Sequence, residues 1–450
     1  MQDRPPPREQ PRAGRAFGAL RHRDFALLWS GSVISNVGNW MQNIAQAWLI
    51  YDLTGSALLV GLNGLIRTAP FLVMSLYAGT VADRMDRRKL YLWAEFGMLA
   101  ICLGVGGLVA SGLVQVWHIY AASVLSALVG AFEIPAQQAL LPHLVPRADM
   151  MNAISLNSLV RKGAQVIGPS LGGVSVAAFG VAPTYFLNAA SYVVLIVMIL
   201  MMRTTNPPTP AQTRSAAGAI ADGLRYVRGD AVIATLLLME SVVSIFGSFN
   251  PMLVVFAREV FHVGAEGLGL LQSAAGIGTI IGSVVLSFIG DIHRKGRLII
   301  AGGVVYGLAV IAFAVTPWFP LAIVFLILTG AAEVSVGATR TTVMQLFTKR
   351  EMLGRVMSLQ AMSTRGLGPL GGFEAGTLGT LIGVPYAVAL GGLVCIATVL
   401  AAARAVPTLR NFTGAGREEE AAFLHESRRP VTATGESAVA AQAPSPDPVR

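Results

Sequence analysis

Apolar runs of roughly twenty residues recur along most of the chain, each ended by charged residues or by a Gly/Pro break. Each is long enough to cross a hydrocarbon core about 30 Å thick. Twelve such runs start near residues 25, 57, 89, 116, 153 and 183, and then near 231, 267, 297, 320, 355 and 384. Runs of this length favour helices over a barrel, whose strands need only about ten residues each. The pattern predicts an all-α membrane protein with twelve transmembrane helices.

The polar positions divide the chain further. Residues 1–24 and 405–450 are rich in Pro, Ala, Ser and charge, and read as cytoplasmic tails without order. The start lacks the apolar core of a signal peptide, so the first span is expected to direct insertion. Between a first bundle (25–202) and a second (231–404) lies a linker, 203–230. Within it Ala217, Ile220, Ala221, Leu224 and Val227 share one helical face, which predicts a short helix lying on the membrane surface.

Composition agrees with this reading. Hydrophobic residues make up 54% and charged residues 13%, about half the charge of an ordinary soluble domain. The net charge of +9 would suit nucleic acid, but the basic residues are segregated. If the N-terminus is inside, the inside segments hold nearly all of them and the opposite side holds only Arg258. That asymmetry sets orientation, with both termini cytoplasmic, and leaves no nucleic-acid partner. Arg258, isolated outside, is expected to tolerate replacement by Ala. Cys102 and Cys395 fall inside apolar runs and read as buried thiols.

The two halves echo each other. "DRMDRRKL" (Asp83–Leu90) is matched by "DIHRKGRL" (Asp291–Leu298), each between the second and third spans of its half. "GPSLGG" (Gly168–Gly173) is matched by "GPLGG" (Gly368–Gly372) in the fifth. "RADMMNAISL" and "REMLGRVMSL" both lead into that fifth span. Two six-helix halves in parallel repeat predict a pseudo-symmetric transporter with its site between them, near the midplane.

"GTVADRMDRRK" (Gly79–Lys89) resembles the G-x-x-x-D-R-x-x-R-R/K signature between helices two and three of the major facilitator superfamily. "GPSLGG" is similar to the Gly-Pro motif of antiporters in that superfamily. "FGALRHRDFALLW", "GNWMQNIAQAWLIYDLTGSALLVGL", "PAQQALLPHLVP" and "DGLRYVRGD" resemble its bacterial exporter branch, which includes enterobactin-type siderophore and macrolide efflux proteins. The resemblance covers about residues 17–405. Asp86 departs from the signature, which often has Gly there, and the second-half copy lacks the leading Gly. No arginine motif is visible in the fourth span. The resemblance implies the major facilitator fold, a monomer, and proton-coupled export by rocking of the two halves in the bacterial cytoplasmic (inner) membrane.

The signature can act as a latch. Gly79 lets helices approach, Asp83 can meet the positive N-terminus of a helix in the other half, and Arg84, Arg87 and Arg88 can pair with acids or lipid headgroups. The plainer reading is an anchor on the inside surface. Gly168, Pro169, Gly172 and Gly173 strip side-chain bulk and one backbone donor from the fifth span, which allows close packing and a bend.

Candidate binding residues come from misplaced polarity. In the first span Asn36, Asn39, Gln42, Asn43 and Gln46 fall within an arc of about 120°. Five amides on one face do not point at lipid. They line a cavity or hydrogen-bond between helices. Trp40 and Trp48 can add stacking surface. Ionisable residues at membrane depth are Arg67, Glu133, Glu240, Glu333, Arg365 and Glu374. They are functional candidates by default. Structural pairing, such as Glu133 with Arg67 or Arg161 and Glu374 with Arg365, is the alternative. Glu133 is the first choice for proton coupling and Glu240 the second. Arg161, Lys162 and Arg340 sit nearer the inside ends and read as anchors or latch members. With those three set aside, acids outnumber bases, which favours cationic amphiphilic substrates; the siderophore side of the resemblance favours large polar anions.

Nothing in the chain suggests catalysis. There is no phosphate-binding loop, the six His are scattered without metal-ligand spacing, and no cofactor is implied. The expected partners are a small-molecule substrate, protons and membrane lipids. An uptake permease and a non-transporting membrane sensor or scaffold are the rival readings.

Overall fold

The computed structural model describes residues 17–204, 216–290 and 294–412. Gly79 and the side chains of Asp83, Arg84 and Arg365 lie outside the described residues, as do most of both tails and the first part of the 203–230 linker. Among the described residues the chain is helical throughout, without strands.

Six long helices come first: α1 (Arg23–Thr54), α2 (Ala57–Arg84), α3 (Arg87–Ala110), α4 (Val116–Leu144), α5 (Met150–Phe179) and α6 (Val181–Met201). The amphipathic α7 (Ala216–Arg228) follows, then α8 (Ala231–Phe246). After it come α9 (Ala265–Ile289), α10 (Lys295–Val315), α11 (Phe319–Phe347), α12 (Leu353–Ile382) and α13 (Val384–Ala405). Local chemistry sets the boundaries. Gly55, in the left-handed region at φ 59°, ends α1. Asp86, the departure from the family signature, is the N-cap of α3: its carboxylate accepts from the backbone N–H of Arg88 at 3.0 Å and of Lys89 at 3.3 Å. Asp230 caps α8 in the same way.

Three expectations are corrected. The seventh apolar run is not one straight helix. Gly247 and the Asn250–Pro251 pair interrupt it, and it continues as a 3-10 turn (Asn250–Met252), a short α turn and a π turn (Phe256–Val260). The first tail is structured from Phe17: Ala19 is buried, its N–H donates to Asn152 Oδ1 at 2.9 Å, and His22 pairs with Asp149 at 2.9 Å. At the other end a turn over Pro407–Asn411 docks on the start of α10, with Leu409 and Phe412 buried.

Nine segments among the described residues are long and apolar enough to cross a membrane. α1, α5 and α12 are as long, with 32, 30 and 30 residues, but carry the polar positions that face inward. Large apolar side chains stand exposed around the bundle, Trp93 at 71% and Phe288 at 87% among them. Lipid is the solvent that suits such a surface.

The packing of α1–α6 is repeated by α8–α13. In the first set α1 packs on α5 and α6, α3 on α4 and α6, and α2 on α4. In the second, α8 packs on α12 and α13, α10 on α11 and α13, and α9 on α11. Two seams join the sets, α5 against α9 and α2 against α12. These seams explain the repeated Gly-Pro motifs. Gly168 and Gly172 face Trp40 and Met41 of α1, while Gly173 faces α9, where an added Cβ would fall 3.0 Å from Glu266 Cα. In the second copy, Gly371 meets the Ile245 carbonyl of α8 and Gly372 meets Gly61 of α2. Each motif thins a helix on two sides. Ser273 adds hydrogen bonds across the α5–α9 seam: it donates to the Val166 carbonyl at 2.5 Å and accepts from Ser170 Oγ at 2.7 Å.

Candidate functional site

Beside the seams lie two pockets, or lobes, one chiefly in each bundle. The first, of about 620 Å³, is walled by all six helices α1–α6. All five α1 amides line it, with Arg67, Glu133 and Arg161, and Pro369 of α12 closes one side. The second lobe, of about 430 Å³, is walled by α8–α12, with Glu240, Glu333, Arg340 and Thr364. Lys162 and Gln165 reach into it from α5. Adjacent residues of one helix, Arg161 and Lys162, therefore serve different lobes.

The two readings of the α1 amides combine. Asn39 Oδ1 accepts from the Tyr192 hydroxyl at 2.5 Å. Gln42 Oε1 accepts from Asn188 Nδ2 at 2.5 Å and from the Cys102 thiol at 2.7 Å. Gln46 Nε2 donates to Ser123 Oγ at 2.7 Å and to Asn63 Oδ1 at 3.3 Å. These three amides fasten α1 to α2, α3, α4 and α6 with the same groups that line the lobe. Asn43 is looser, accepting only from Arg67 at 3.5 Å, and Asn36 donates to the Ser32 carbonyl of its own helix.

The deep ionisable residues fall into distinct arrangements. Glu240 and Arg340, at 5% and 6% exposure, form a buried ion pair, and the Thr364 hydroxyl donates to Glu240 Oε1 at 3.2 Å. Arg340 is thus no surface anchor: it neutralises the acid opposite it, a pairing invisible at a separation of 100 residues. Glu133 feels Arg67 through space without a contact ion pair among the described residues. Glu333 likewise feels Lys162 across the two halves. Glu374 lines neither lobe.

The described arginines of the signature bind carbonyls. Arg87 Nη1 donates to the Ala139 carbonyl at 3.4 Å and to His143 Nε2 at 3.1 Å. Arg88 donates to the carbonyls of Ile199 and Leu200 at 3.1 and 2.9 Å. Both staple the start of α3 to its own bundle. Arg88 thereby adds donors to carbonyls in the last turn of α6, where helical partners run out.

These features accompany a specific family match. Residues 14–431 match the profile of the transmembrane secretion effector family, a branch of the major facilitator superfamily. The chain belongs to this family. It is 26% identical to the multidrug efflux pump Tap of Mycolicibacterium fortuitum, over 80% of this chain and 90% of that protein. It is 25% identical to the staphyloferrin A transporter of Staphylococcus aureus, over 82% and 94%. It is 26% identical to the enterobactin exporter EntS of Salmonella typhimurium, over 75% and 81%. Two solved structures share the fold. A bacterial homolog of the human lysosomal transporter Spinster, inward-facing and unoccupied, superposes with a TM-score of 0.64 at 15% identity, covering 86% of this chain and 96% of that one. The nucleoside transporter NupG gives 0.67 at 14% identity, covering 85% and 98%. The chain is a multi-pass membrane transporter, not an enzyme.

Two features of this family member escaped the sequence reading. One is Glu95 of α3, 1% exposed, with the Tyr91 hydroxyl of its own helix beside it and no cation facing it among the described residues. An acid inside "LYLWAEFGML" is itself a signal in the sequence. The other is a clasp at the end of the bundle opposite the start of α1. Arg258 pairs with Asp52, its guanidinium lies 4.2 Å from the Trp48 ring centroid, and the Tyr51 hydroxyl donates to Glu259. The expectation that Arg258 is idle is therefore corrected.

Proposed function

We propose that this chain is a secondary active transporter that exports small molecules from the bacterial cytoplasm in exchange for protons, by alternating access. Its twelve long helical segments would span the cytoplasmic membrane as two six-helix bundles, with both termini inside. The observation that carries this reading is a pair of pockets lined by amides and deep charged residues, one chiefly in each of two bundles that pack alike. The names of the relatives, a multidrug efflux pump and two siderophore transporters, support export. With the termini inside, the clasp and the close glycine contacts lie at the outer end, so the form described is closed outward and its lobes belong to an inward-facing state. Asp83 and Arg84 would complete a latch at the opposite end.

Proton coupling is assigned first to Glu133 and second to Glu240. Glu133 meets the lobe beside Arg67, and a carboxyl that moves between a dry site and an arginine changes its preferred charge. Glu240 is held by Arg340, so it would respond only when that pair opens. For the substrate, the lining favours an oxygen-rich polar molecule. Arg67, Arg161 and Lys162 join the amides on the walls, and Arg161 has no ion-pair partner among the described residues. This reverses the preference for cations drawn from counting acids. Arg365 would add to the same surface. The test is a comparison of a deletion strain with its parent for siderophore release and survival on a drug panel. Loss of either supports export. A deletion strain that accumulates less of a labelled compound points to uptake instead.

A further inference from the structure

Glu95 lies behind the first lobe and does not line it. Its carboxylate is 1% exposed, and the one polar group set against it is the Tyr91 hydroxyl, four residues earlier on the same helix, without a hydrogen bond of full geometry. An ionised carboxylate in that position would keep a desolvation cost of several kcal/mol with at most one hydroxyl to offset it. Buried polar atoms left this way call for an explanation. The groups around it give no cation. On its own helix the neighbour is Tyr91. From α4 the facing charge is another acid, Glu133. From α6 comes Tyr192, which senses both carboxyls. Arg67 of α2 acts on Glu133 and Tyr192 but not on Glu95. Polar contact with the lobe runs through Gln137, whose amide donates at 3.4 Å to both the Tyr91 hydroxyl and Ser32 Oγ and which itself lines the lobe.

We propose that Glu95 and Glu133 form a carboxyl pair that holds one exchangeable proton, with Glu133 on the lobe and Glu95 behind its wall. Two neighbouring carboxyls that cannot both be ionised share one proton. The exchange is a simple transfer: the O–H bond of Glu133 breaks, one forms on Glu95, and the negative charge moves to Glu133, next to Arg67. No redox change or co-reactant is involved. The pair separates two tasks. A substrate in the lobe touches Glu133 alone, so it can drive the proton onto Glu95 without contacting the carboxyl that stores it. In naming a task for the pair this rests on the proton-coupled reading above; the pair itself stands on the burial of Glu95 and on the absence of a facing cation among the described residues.

The test uses the purified full chain in lipid nanodiscs, by infrared difference spectroscopy between mildly acidic and alkaline buffer. Wild type should show the carbonyl stretch of a protonated carboxylic acid. Glu95→Gln, which keeps the shape and is neutral, should remove it. Glu95→Asp should restore a displaced band, and Glu133→Gln should displace the wild-type band, because the two groups titrate together. A spectrum unchanged by Glu95→Gln in folded protein would overturn the proposal. So would a Glu95 band that ignores Glu133→Gln. In proteoliposomes with ethidium as probe, Glu95→Gln should lose pH-gradient-driven flux and keep exchange; full gradient-driven flux would also overturn it. A wild-type protein that shows the paired band yet drives no flux would sink the proposed function and leave the pair standing.

Discussion

Arg258, on the broken segment after α8, pairs with Asp52 at the end of α1 and lies over the ring of Trp48. One residue thus ties the two bundles together where both helices run out. The pair is partly exposed, at 29% and 54% of the two side chains, so its contribution is about 1 kcal/mol, with a similar amount from the aromatic face. That suits a clasp that must open. Arg258→Glu should loosen the outer end, seen as faster thiol labelling of a cysteine placed at Ser56. Adding Asp52→Arg should restore the slow rate. Unchanged labelling in Arg258→Glu would show that the glycine seams alone close this end.

The Glu240–Arg340 pair is a different case, because both members are buried. Arg340→Ala leaves an uncompensated acid and should lower stability by about 3–5 kcal/mol. Replacing both partners by apolar residues, Glu240→Leu with Arg340→Met, should recover most of that loss. Thermal unfolding in detergent reads both values. Equal losses in the single and double variants would contradict the pairing.

Two glycines ten positions apart on α5 should respond in opposite directions. A Cβ on Gly173 would meet the α9 backbone, with Glu266 Cα at 3.0 Å, whereas one on Gly163 would meet nothing within 4 Å. Gly163→Ala should stabilise by about 0.5–1 kcal/mol through helix propensity. Gly173→Ala should destabilise. Thermal unfolding of both variants decides it.

The α1 amides predict a split between stability and selectivity. Asn39→Leu strands the Tyr192 hydroxyl and should cost about 1–3 kcal/mol. Asn43→Leu loses only a weak contact from Arg67 and should change substrate range at nearly unchanged stability. Drug-panel profiles at matched membrane abundance, set beside melting curves, test the split.

Much of this architecture is legible in the chain. The starts of the apolar runs fall within a few residues of the helix starts, because charged caps and glycines punctuate both. The α1 stripe points inward because five amides cannot face lipid. What stayed hidden depends on contacts across long sequence separations. Nothing near Arg340 names Glu240 as its partner, and nothing near Arg258 names Asp52. Arg161 and Lys162 look like end anchors until α5 is seen to divide two lobes. Glu95 was readable as a misplaced acid, but its lack of a facing cation among the described residues is a property of the packed bundle. The break after Phe246 has a local signal in Gly247 and Pro251, inside an apolar run long enough to read as one helix.

The central claim is proton-driven export through Glu133. The most direct measurement is flux in proteoliposomes of the purified chain, with ethidium and a siderophore as probes and an imposed pH gradient. The account predicts accumulation against the probe's own gradient by wild type. It predicts loss of that accumulation in Glu133→Gln, with probe binding and downhill exchange retained. Glu133→Gln that still accumulates probe with the full dependence on the pH gradient would contradict it.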